Sequence, residues 1–174
     1  MSSIILSKDD CEFIKSYWND SLSLSGGRSI FKIDEINTLS FRRKAQGGYI
    51  DYTDEYLVNY IKEKISVIDI KSINNSSVKI SKYTKGDFFE PHHDFNFYGK
   101  GAIYKTMVIQ LSNSADYIGG DLYVKDIPQP REQGSYSLFL SSDIHEVKLI
   151  EEGIRFSLTL FLSESDFTIP KSII

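Results

Sequence analysis

The chain has 174 residues and a formal charge of −4 at neutral pH. This weakly acidic balance provides no broad basic field for phosphate backbones, so we expect no nucleic-acid partner. Hydrophobic residues make up 41% of the chain and aromatic residues 13%, which is ample for the core of one domain of this length. No apolar run approaches the length that crosses a bilayer, so we expect no membrane partner either.

The cysteine content and the N-terminal residues indicate the cellular compartment in which the protein is expected. Cys11 is the single cysteine, so no intramolecular disulfide can form, and this is typical of a reducing compartment. The run Ile4-Ile5-Leu6 is too short for the apolar core of a secretory signal, and charged residues follow it at once. We therefore expect a cytoplasmic protein, and the sequence leaves its oligomeric state open.

Two amphipathic helices are predicted in the N-terminal part. Ser7 is the predicted N-cap of the first helix, with Asp10 at the third helical position. Cys11 lies on its apolar stripe and is interpreted as a packing residue rather than a nucleophile. Thr53 is predicted to cap the second helix. The predicted buried face of that helix consists of Leu57, Tyr60, Ile61, Ile65 and Ile68.

From about Ser77 onward the pattern changes to short β-type segments separated by polar turns. The predicted strands are Val78 to Tyr83, Tyr104 to Leu111, Asp121 to Val124, Ser135 to Leu140, Ile144 to Ile150 and Arg155 to Leu162. Gly119-Gly120 is predicted as a turn. Residues 37–52 and 95–101 are polar and contain glycine, so we predict exposed loops there.

Three residues in two separate segments have the side chains of a metal site. His92 and Asp94 lie two apart, so on a strand they point to one side while His93 points away. His145 is on the apolar face of its predicted strand, together with Val147 and Leu149. Two imidazoles and one carboxylate are a typical ferrous iron ligand set. Taken singly, each segment could instead be a core histidine or a surface turn.

Arg155 begins an alternating segment in which Ser157 and Thr159 share its face. A planar guanidinium backed by hydroxyls is suited to bind a carboxylate through two hydrogen bonds. The alternative is an internal ion pair with an Asp or Glu side chain. The opposite face carries Phe156, Leu158, Leu160 and Leu162. That face must be covered, and the two helices are the available cover.

With these motifs, the chain from Ile80 to Leu162 resembles the iron(II) and 2-oxoglutarate-dependent oxygenases, in particular the prolyl 4-hydroxylase-like branch. The matching segments are Tyr83 to Asp94, Gly119-Gly120-Asp121-Leu122, His145 and Arg155-Phe156-Ser157. The resemblance implies that His92, Asp94 and His145 are catalytic and hold Fe(II). It further implies that the distal carboxylate of 2-oxoglutarate binds Arg155 and Tyr83, in a pocket lined by Ser157 and Thr159.

The strand pattern and the resemblance favour a mainly β fold with N-terminal helices. The expected architecture is a distorted double-stranded β-helix, a cupin-like jelly roll with helices packed on one sheet. We expect a single oxygenase domain over residues 1–174. Within it, residues 1–76 form a helical and loop support and residues 77–165 form the double-stranded β-helix core.

The activity implied is hydroxylation of an unactivated C–H bond with Fe(II), 2-oxoglutarate and O2, with ascorbate as reductant. The expected partner is a peptide or protein whose side chain, a prolyl residue first, is the substrate. A free amino acid or other small metabolite is the alternative, and a non-enzymatic metal- or oxoglutarate-binding jelly-roll module is the alternative from another class. Asp94 disfavours a halogenase, because the halogenases of this superfamily have a small residue there.

Loops in the positions of residues 37–52 and 95–101 cover the substrate in prolyl 4-hydroxylase-like enzymes. The residues expected to contact substrate are Arg42, Arg43, Tyr49, Tyr98 and Tyr104. The alternative is solvated loops with incidental aromatic residues. The chain departs from the branch at Tyr104-Lys105-Thr106, where many members have an arginine shortly before the threonine, so the subfamily stays open.

Overall fold

The computed structural model describes residues 4–18, 43–49, 55–65, 78–94 and 103–163. Within these ranges the chain forms helices α1 (Lys8–Ser16) and α2 (Glu55–Lys64) and eleven strands. The strands are β1 (Arg43–Lys44), β2 (Gln46–Tyr49), β3 (Val78–Thr84), β4 (Phe88–His92), β5 (Ile103–Gln110), β6 (Tyr117–Gly119), β7 (Leu122–Val124), β8 (Ile127–Pro128), β9 (Tyr136–Leu140), β10 (His145–Val147) and β11 (Ile150–Ser163). The mainly β fold with N-terminal helices is therefore confirmed.

Helix α1 begins with the predicted capping box. The Ser7 hydroxyl accepts a hydrogen bond from the Asp10 amide (3.1 Å), and the Asp10 carboxylate accepts one from the Ser7 amide (3.0 Å). The same carboxylate accepts a 2.5 Å hydrogen bond from the Tyr60 hydroxyl and lies 3.2 Å from the Lys64 amine. Asp10 therefore joins α1 to α2. Burial alone would raise its pKa, but the bonds from Ser7, Tyr60 and Lys64 hold that pKa well below its usual value.

The strands pair into two antiparallel sheets. The larger sheet has the order β2-β3-β11-β5-β9, with β6 paired to the first part of β11. The smaller sheet has the order β1-β4-β10-β7-β8. Two buried clusters result from this arrangement. One packs the helices onto the larger sheet and contains Leu6, Cys11, Ile14, Leu57, Ile61, Ile80, Met107, Ile109, Leu158 and Leu160. The other joins the inner faces of the sheets and contains Tyr83, Val108, Leu122, Phe139 and Val147.

Strand β11 shows how alternation positions the site. Leu158, Leu160 and Leu162 are fully buried against the helices, so Arg155 and Ser157 face the space between the sheets. The register places Arg155 opposite Tyr83 on β3 and Ser157 opposite Gln110 on β5. The predicted helix-covered sheet with Arg155 on its inner face is confirmed.

Two local predictions are wrong. The predicted loop 37–52 contains β1 and β2, which pair with β4 and β3 at the edges of the two sheets. Edge strands gain backbone hydrogen bonds without needing apolar alternation, so their sequence gave no strand signal. The predicted strand Ile144 to Ile150 is also interrupted. β10 ends at Val147, and Leu149, expected on the inner face, is 50% exposed.

The turn at Gly119-Gly120 explains that interruption. The Gly120 amide donates to the Leu149 carbonyl, and the Lys148 amide donates to the Asp121 carbonyl, so residues 148–149 bond to this turn. Both glycines have positive φ, and a Cβ on Gly119 would lie 2.2 Å from the Leu149 oxygen. Only glycine fits so close an approach. The predicted structural role of the pair is confirmed.

The predictions for Thr53, Ile68 and the loop 95–101 lie outside the described residues. In the described part of the chain, no helix is long and apolar enough to span a membrane.

Candidate active site

His92, Asp94 and His145 converge at one end of the smaller sheet. His92 ends β4 and His145 begins β10, and the register of the two strands places these residues opposite each other. Asp94 follows β4 by two residues. Its carboxylate lies 3.3 Å from Nε2 of His145 and 3.8 Å from Nε2 of His92. One ligand atom from each of the three residues lies within 4.8 Å of the others, so the group could hold a metal ion.

Backbone carbonyls fix the orientation of both rings. Nδ1 of His92 donates to the Glu90 carbonyl (2.7 Å), and Nδ1 of His145 donates to the Asp143 carbonyl (3.0 Å). A carbonyl only accepts, so each ring has its proton on Nδ1 and turns Nε2 toward Asp94. This is the arrangement by which proteins prepare histidines for metal binding. The ring of Phe89 stacks on His92, and the ring of Phe139 lies 4.7 Å from that of His145.

Asp94 and His145 change each other's proton affinity. Burial would raise the pKa of Asp94, but hydrogen bonds from His145 and from the Thr106 hydroxyl (2.6 Å) bring that pKa below its usual value. Burial would lower the pKa of His145, yet the Asp94 carboxylate raises it above its usual value. The carboxylate thus holds a proton on the imidazole. A divalent cation would displace that proton, so the donor set fits such an ion.

Arg155 lies at the second end of the site, with only 1% of its surface exposed. Its Nε donates to the Gln110 side-chain oxygen (3.2 Å), and its guanidinium carbon lies 5.3 Å from the centre of the Tyr83 ring. Its Nη1 and Nη2 are buried and have no hydrogen-bond partner within the described part of the chain. A buried cation with two unpaired donors is costly unless an anion binds there. Among the described residues, no Asp or Glu forms the internal ion pair that was the predicted alternative.

Strand β5 connects the two ends. Thr106 bonds to Asp94 and Gln110 bonds to Arg155, and both residues belong to the inner face that also includes Val108. Four residues of strand separate their Cα atoms by about 13 Å. The three-residue group and the unpaired guanidinium nitrogens therefore face the same space between the sheets.

A family model described as 2OG-Fe(II) oxygenase superfamily matches residues 78–163. A PKHD-type hydroxylase of Prochlorococcus marinus is 26% identical over 149 residues, which are 81% of this chain and 64% of that protein. The chain therefore spans less than two thirds of the length of this curated relative.

The matched segment contains the three-residue group and Arg155. Residues 78–163 belong to the 2OG-Fe(II) oxygenase superfamily. The prolyl 4-hydroxylase-like branch that the sequence predicted agrees with this relative, which is itself named a hydroxylase.

Solved structures support the jelly-roll fold of this oxygenase. A viral collagen prolyl hydroxylase of Paramecium Bursaria Chlorella virus-1 matches with a TM-score of 0.61 at 11% identity, covering 90% of each chain. A prolyl-4-hydroxylase of Pseudomonas putida matches with 0.59 at 17% identity, covering 92% of this chain and 90% of that one. A Trichoplax adhaerens prolyl hydroxylase, solved with a hypoxia inducible factor peptide fragment, matches with 0.62 at 17% identity, covering 95% and 82%.

The oxygenase has pocket residues whose roles the sequence analysis missed. Thr106 and Gln110 are buried polar residues on the inner face of β5, beside the apolar Met107 and Ile109 of the other face. The alternation of polar and apolar residues along this strand is the sequence pattern that could have identified them. Ser137 on β9 lies opposite Val108, and its buried hydroxyl has no hydrogen-bond partner among the residues that the structure describes. No sequence pattern distinguishes Ser137, because a serine in a strand is not unusual.

The predicted cosubstrate residues lie together on the inner face of the larger sheet. Tyr83 and Ser157 are buried, and Thr159, opposite Val108, is half-buried. His93 and Asp87 lie near these residues and the metal group. Nδ1 of His93 donates to the Ser142 carbonyl, so its ring stays outside the metal group, as predicted. Asp87 is buried, and its carboxylate accepts hydrogen bonds from the Thr84 amide and hydroxyl within a turn.

The predicted substrate residues are only partly described. Arg42 and Tyr98 lie outside the described residues, and Arg43 and Tyr49 are described only as parts of β1 and β2. Tyr104 is 40% exposed at the start of β5, two residues from Thr106. It therefore lies at the edge of the site, and contact with substrate stays a prediction for all five.

Cys11 is fully buried, and burial raises its pKa to about 12. A thiol so rarely ionised is a poor nucleophile. Its predicted packing role is consistent with its place between α1 and the larger sheet.

Proposed function

We propose that this oxygenase is an Fe(II)- and 2-oxoglutarate-dependent dioxygenase that hydroxylates an unactivated C–H bond. The observation that supports this most strongly is the pair of unpaired guanidinium nitrogens of Arg155, buried in the same space as a three-residue metal group. One end of that space suits a divalent cation, and the other requires an anion. A keto diacid satisfies both ends at once.

His92, Asp94 and His145 are the residues that would hold iron. Two-histidine, one-carboxylate sites leave coordination positions open for small molecules, and this group would do the same. Iron held there would supply, with O2 and the keto acid, the oxidising power to insert one oxygen atom into a C–H bond, and 2-oxoglutarate would be converted to succinate and carbon dioxide. The carbonyls of Glu90 and Asp143 keep both imidazoles in the tautomer that this role requires.

Arg155 would bind the distal carboxylate of 2-oxoglutarate through Nη1 and Nη2. Its Nε is already held by Gln110, so the guanidinium is oriented before the ligand arrives. Tyr83 packs on the guanidinium and would contribute its hydroxyl, with Ser157 and Thr159 lining the same pocket. The unpaired Ser137 hydroxyl is a further candidate for a hydrogen bond to the ligand.

The proposed substrate is a peptidyl side chain, with proline as the first residue to test. A free amino acid would require a second cationic group for its own carboxylate. Among the residues that the structure describes, Arg155 is the one buried arginine or lysine. Lys105 shares the strand face of Met107 and Ile109, away from the site. The partly exposed Tyr104 at the edge of the site offers an aromatic surface that suits a peptide.

A non-enzymatic metal module would need a different ligand set. Such a site is typically closed by four protein ligands. The described His, Cys, Asp and Glu residues provide three here, which favours a site with open positions. The three-ligand group therefore favours an enzyme over a binding module.

The experiment that tests the proposal is mass spectrometry for the gain of one oxygen atom. Proline-containing peptides and free amino acids are incubated with the protein, Fe(II), 2-oxoglutarate and ascorbate, and succinate is measured in the same samples. We expect one added oxygen on a peptide, dependent on 2-oxoglutarate. Addition to free amino acids alone would replace the peptide by the alternative substrate. Metal binding without any succinate would overturn the enzymatic function.

A further inference from the structure

A short turn outside the metal group supports two of its three residues. Residues 140–144, which join β9 to β10, are called the 140–144 turn. Its four consecutive carbonyls from Ser141 to Ile144 all accept hydrogen bonds. The donors are the Asp94 amide (3.0 Å), Nδ1 of His93 (2.8 Å), Nδ1 of His145 (3.0 Å) and the Lys125 amide (2.8 Å). The backbone of Asp94 and the ring of His145 thus depend on one five-residue segment.

The turn is held on both sides. Toward the larger sheet, the Ser141 hydroxyl donates to the Ile103 carbonyl (2.5 Å), and the Ser141 amide donates to the Tyr104 carbonyl (3.0 Å). Within the turn, the Asp143 amide donates to the Leu140 carbonyl (2.8 Å), and the Asp143 carboxylate accepts from the Leu140 amide (3.3 Å).

Toward the smaller sheet, the same carboxylate pairs with the Lys125 amine at 2.6 Å. The Asp143 side chain is 13% exposed and that of Lys125 is 61% exposed. Asp143 therefore uses its carboxylate to close the turn, while its carbonyl orients the imidazole of His145.

Lys125 has a backbone conformation that lysine does not favour, which indicates that its side chain has a role at this position. Lys125 and Asp126 form the two-residue connection between β7 and β8, with φ of 50° and 62°. Glycine and asparagine adopt this left-handed conformation with little cost, whereas lysine does not favour it. This hairpin fixes the lysine backbone and also bonds it to Ile144 of the turn. The Lys125 ammonium is therefore held by the β7–β8 hairpin, whose backbone is bonded to the turn.

We propose that Asp143, paired with Lys125, is a positioning residue that sets the divalent-cation affinity of the His92, Asp94 and His145 group. The inference rests on the proposed function, because it assumes that this group binds a metal. Without the ion pair the turn rotates more freely, so the Asp143 carbonyl no longer holds the His145 ring and the Ser141 carbonyl no longer holds the Asp94 backbone. Misdirected ligands bind the ion more weakly.

The ion pair between Asp143 and Lys125 is expected to affect metal affinity much more than stability. An ion pair with so exposed a lysine contributes little to folding. It positions two metal ligands at once, so its loss should weaken metal binding. Changing a direct partner of a metal ligand typically weakens binding by about 10-fold to 100-fold. We therefore expect about 10-fold weaker binding for Asp143→Ala and about 3-fold for Lys125→Asn, one step further from the ligands.

The experiment measures Co(II) and Zn(II) binding to the full chain by calorimetry, and the metal-free melting temperature in parallel. Asparagine is chosen at Lys125 because it suits the left-handed backbone, and Lys125→Arg, which keeps the cation, should restore wild-type affinity. Lys148→Ala is the matched control, because it breaks a 2.7 Å ion pair with Glu146, the neighbour of His145, without touching the turn. The control should bind metal as the wild type does.

A second readout follows the imidazoles directly. The chain has three histidines, so a nitrogen-15 spectrum of the metal-free protein at alkaline pH resolves each ring. We expect His145 to carry its proton on Nδ1 in the wild type and to become a mixture of tautomers in Asp143→Ala. A change in general stability would not alter one ring selectively.

The outcomes are distinct. If the wild type binds neither ion, the metal group and the proposed function fail together. If the wild type binds and the Asp143 and Lys125 variants match it within about twofold, only this inference is overturned. It is also overturned if Lys148→Ala weakens binding equally. Should Asp143→Ala not fold, the comparison of Lys125→Asn with Lys125→Arg decides the matter in the same way.

Discussion

Replacing Arg155 by methionine is expected to leave the folded protein about as stable as before while removing cosubstrate binding. The substitution removes two buried nitrogens without partners, whose desolvation costs about 1–3 kcal/mol each. It also removes the Gln110 hydrogen bond, worth about 1.5–3 kcal/mol because one partner is charged. The Tyr83 contact contributes about 0.5–2 kcal/mol more. Gains and losses nearly cancel, so the free energy of unfolding should change by less than about 2 kcal/mol.

The effect on 2-oxoglutarate is expected to be much larger. Losing one partner of a buried, hydrogen-bonded charge pair costs about 2–5 kcal/mol, and we take about 3 kcal/mol, or roughly 100-fold in affinity. At a concentration 100 times its Kd, the ligand stabilises the wild type by about 2.7 kcal/mol. This corresponds to a rise in Tm of about 8 °C for a chain of this size. The same concentration should raise the Tm of the variant by about 1 °C.

The assay is thermal unfolding of the Mn(II)-loaded protein with and without 2-oxoglutarate, with metal affinity measured separately. Arg131→Met is the matched control, because Arg131 also lies over a tyrosine ring but has its donors paired. It bonds to Asp121 and to the carbonyls of Gly119, Ser114 and Tyr117. The control should lose about 3 kcal/mol of stability and keep its response to 2-oxoglutarate. A large loss of stability in Arg155→Met, or an undiminished rise in its Tm, would refute the reasoning.

Three other predictions concern single residues. His145→Ala should abolish Co(II) binding in calorimetry, because it removes one of three ligands, and retained tight binding would contradict the metal group. Ser137→Ala should weaken 2-oxoglutarate about 5-fold while raising stability by about 1 kcal/mol, since it removes an unpaired buried hydroxyl; an unchanged Kd would exclude contact with the ligand. Asp10 has a lowered pKa, so its stabilisation is present above the unfolded pKa of about 3.9 and is lost as pH falls below it. Asp10→Asn should cost about 1–3 kcal/mol at neutral pH and flatten the acid side of the urea stability curve, and a curve parallel to the wild type would argue against this role.

The sequence alone predicted those features that depend on residues close together in the chain. The capping box of Ser7 and Asp10, the alternation that separates Arg155 from Leu158, and the proximity of His92 to Asp94 follow from backbone geometry over a few residues. The structure confirms the capping box and the alternation. The resemblance then connected these segments to His145 and to a jelly roll. The fold confirms the jelly roll, and the register places His145 opposite His92.

Local patterns failed where long-range pairing decides the outcome. β1 and β2 have no apolar alternation and exist because β4 and β3 offer them backbone partners. Leu149 has the right spacing for the inner face, yet it leaves that face because residues 148–149 bond to the turn at Gly119-Gly120. In both cases the free energy of pairing with a distant segment outweighs the local preference.

The sequence therefore determined which side chains the site could use, because residue type and strand periodicity are written locally. Only the tertiary structure decided their partners. It placed His145 opposite His92, brought Thr106 to Asp94, and held Nε of Arg155 with Gln110 while leaving Nη1 and Nη2 unpaired. These contacts depend on the register between strands far apart in the chain, and register is set by packing of the whole sandwich.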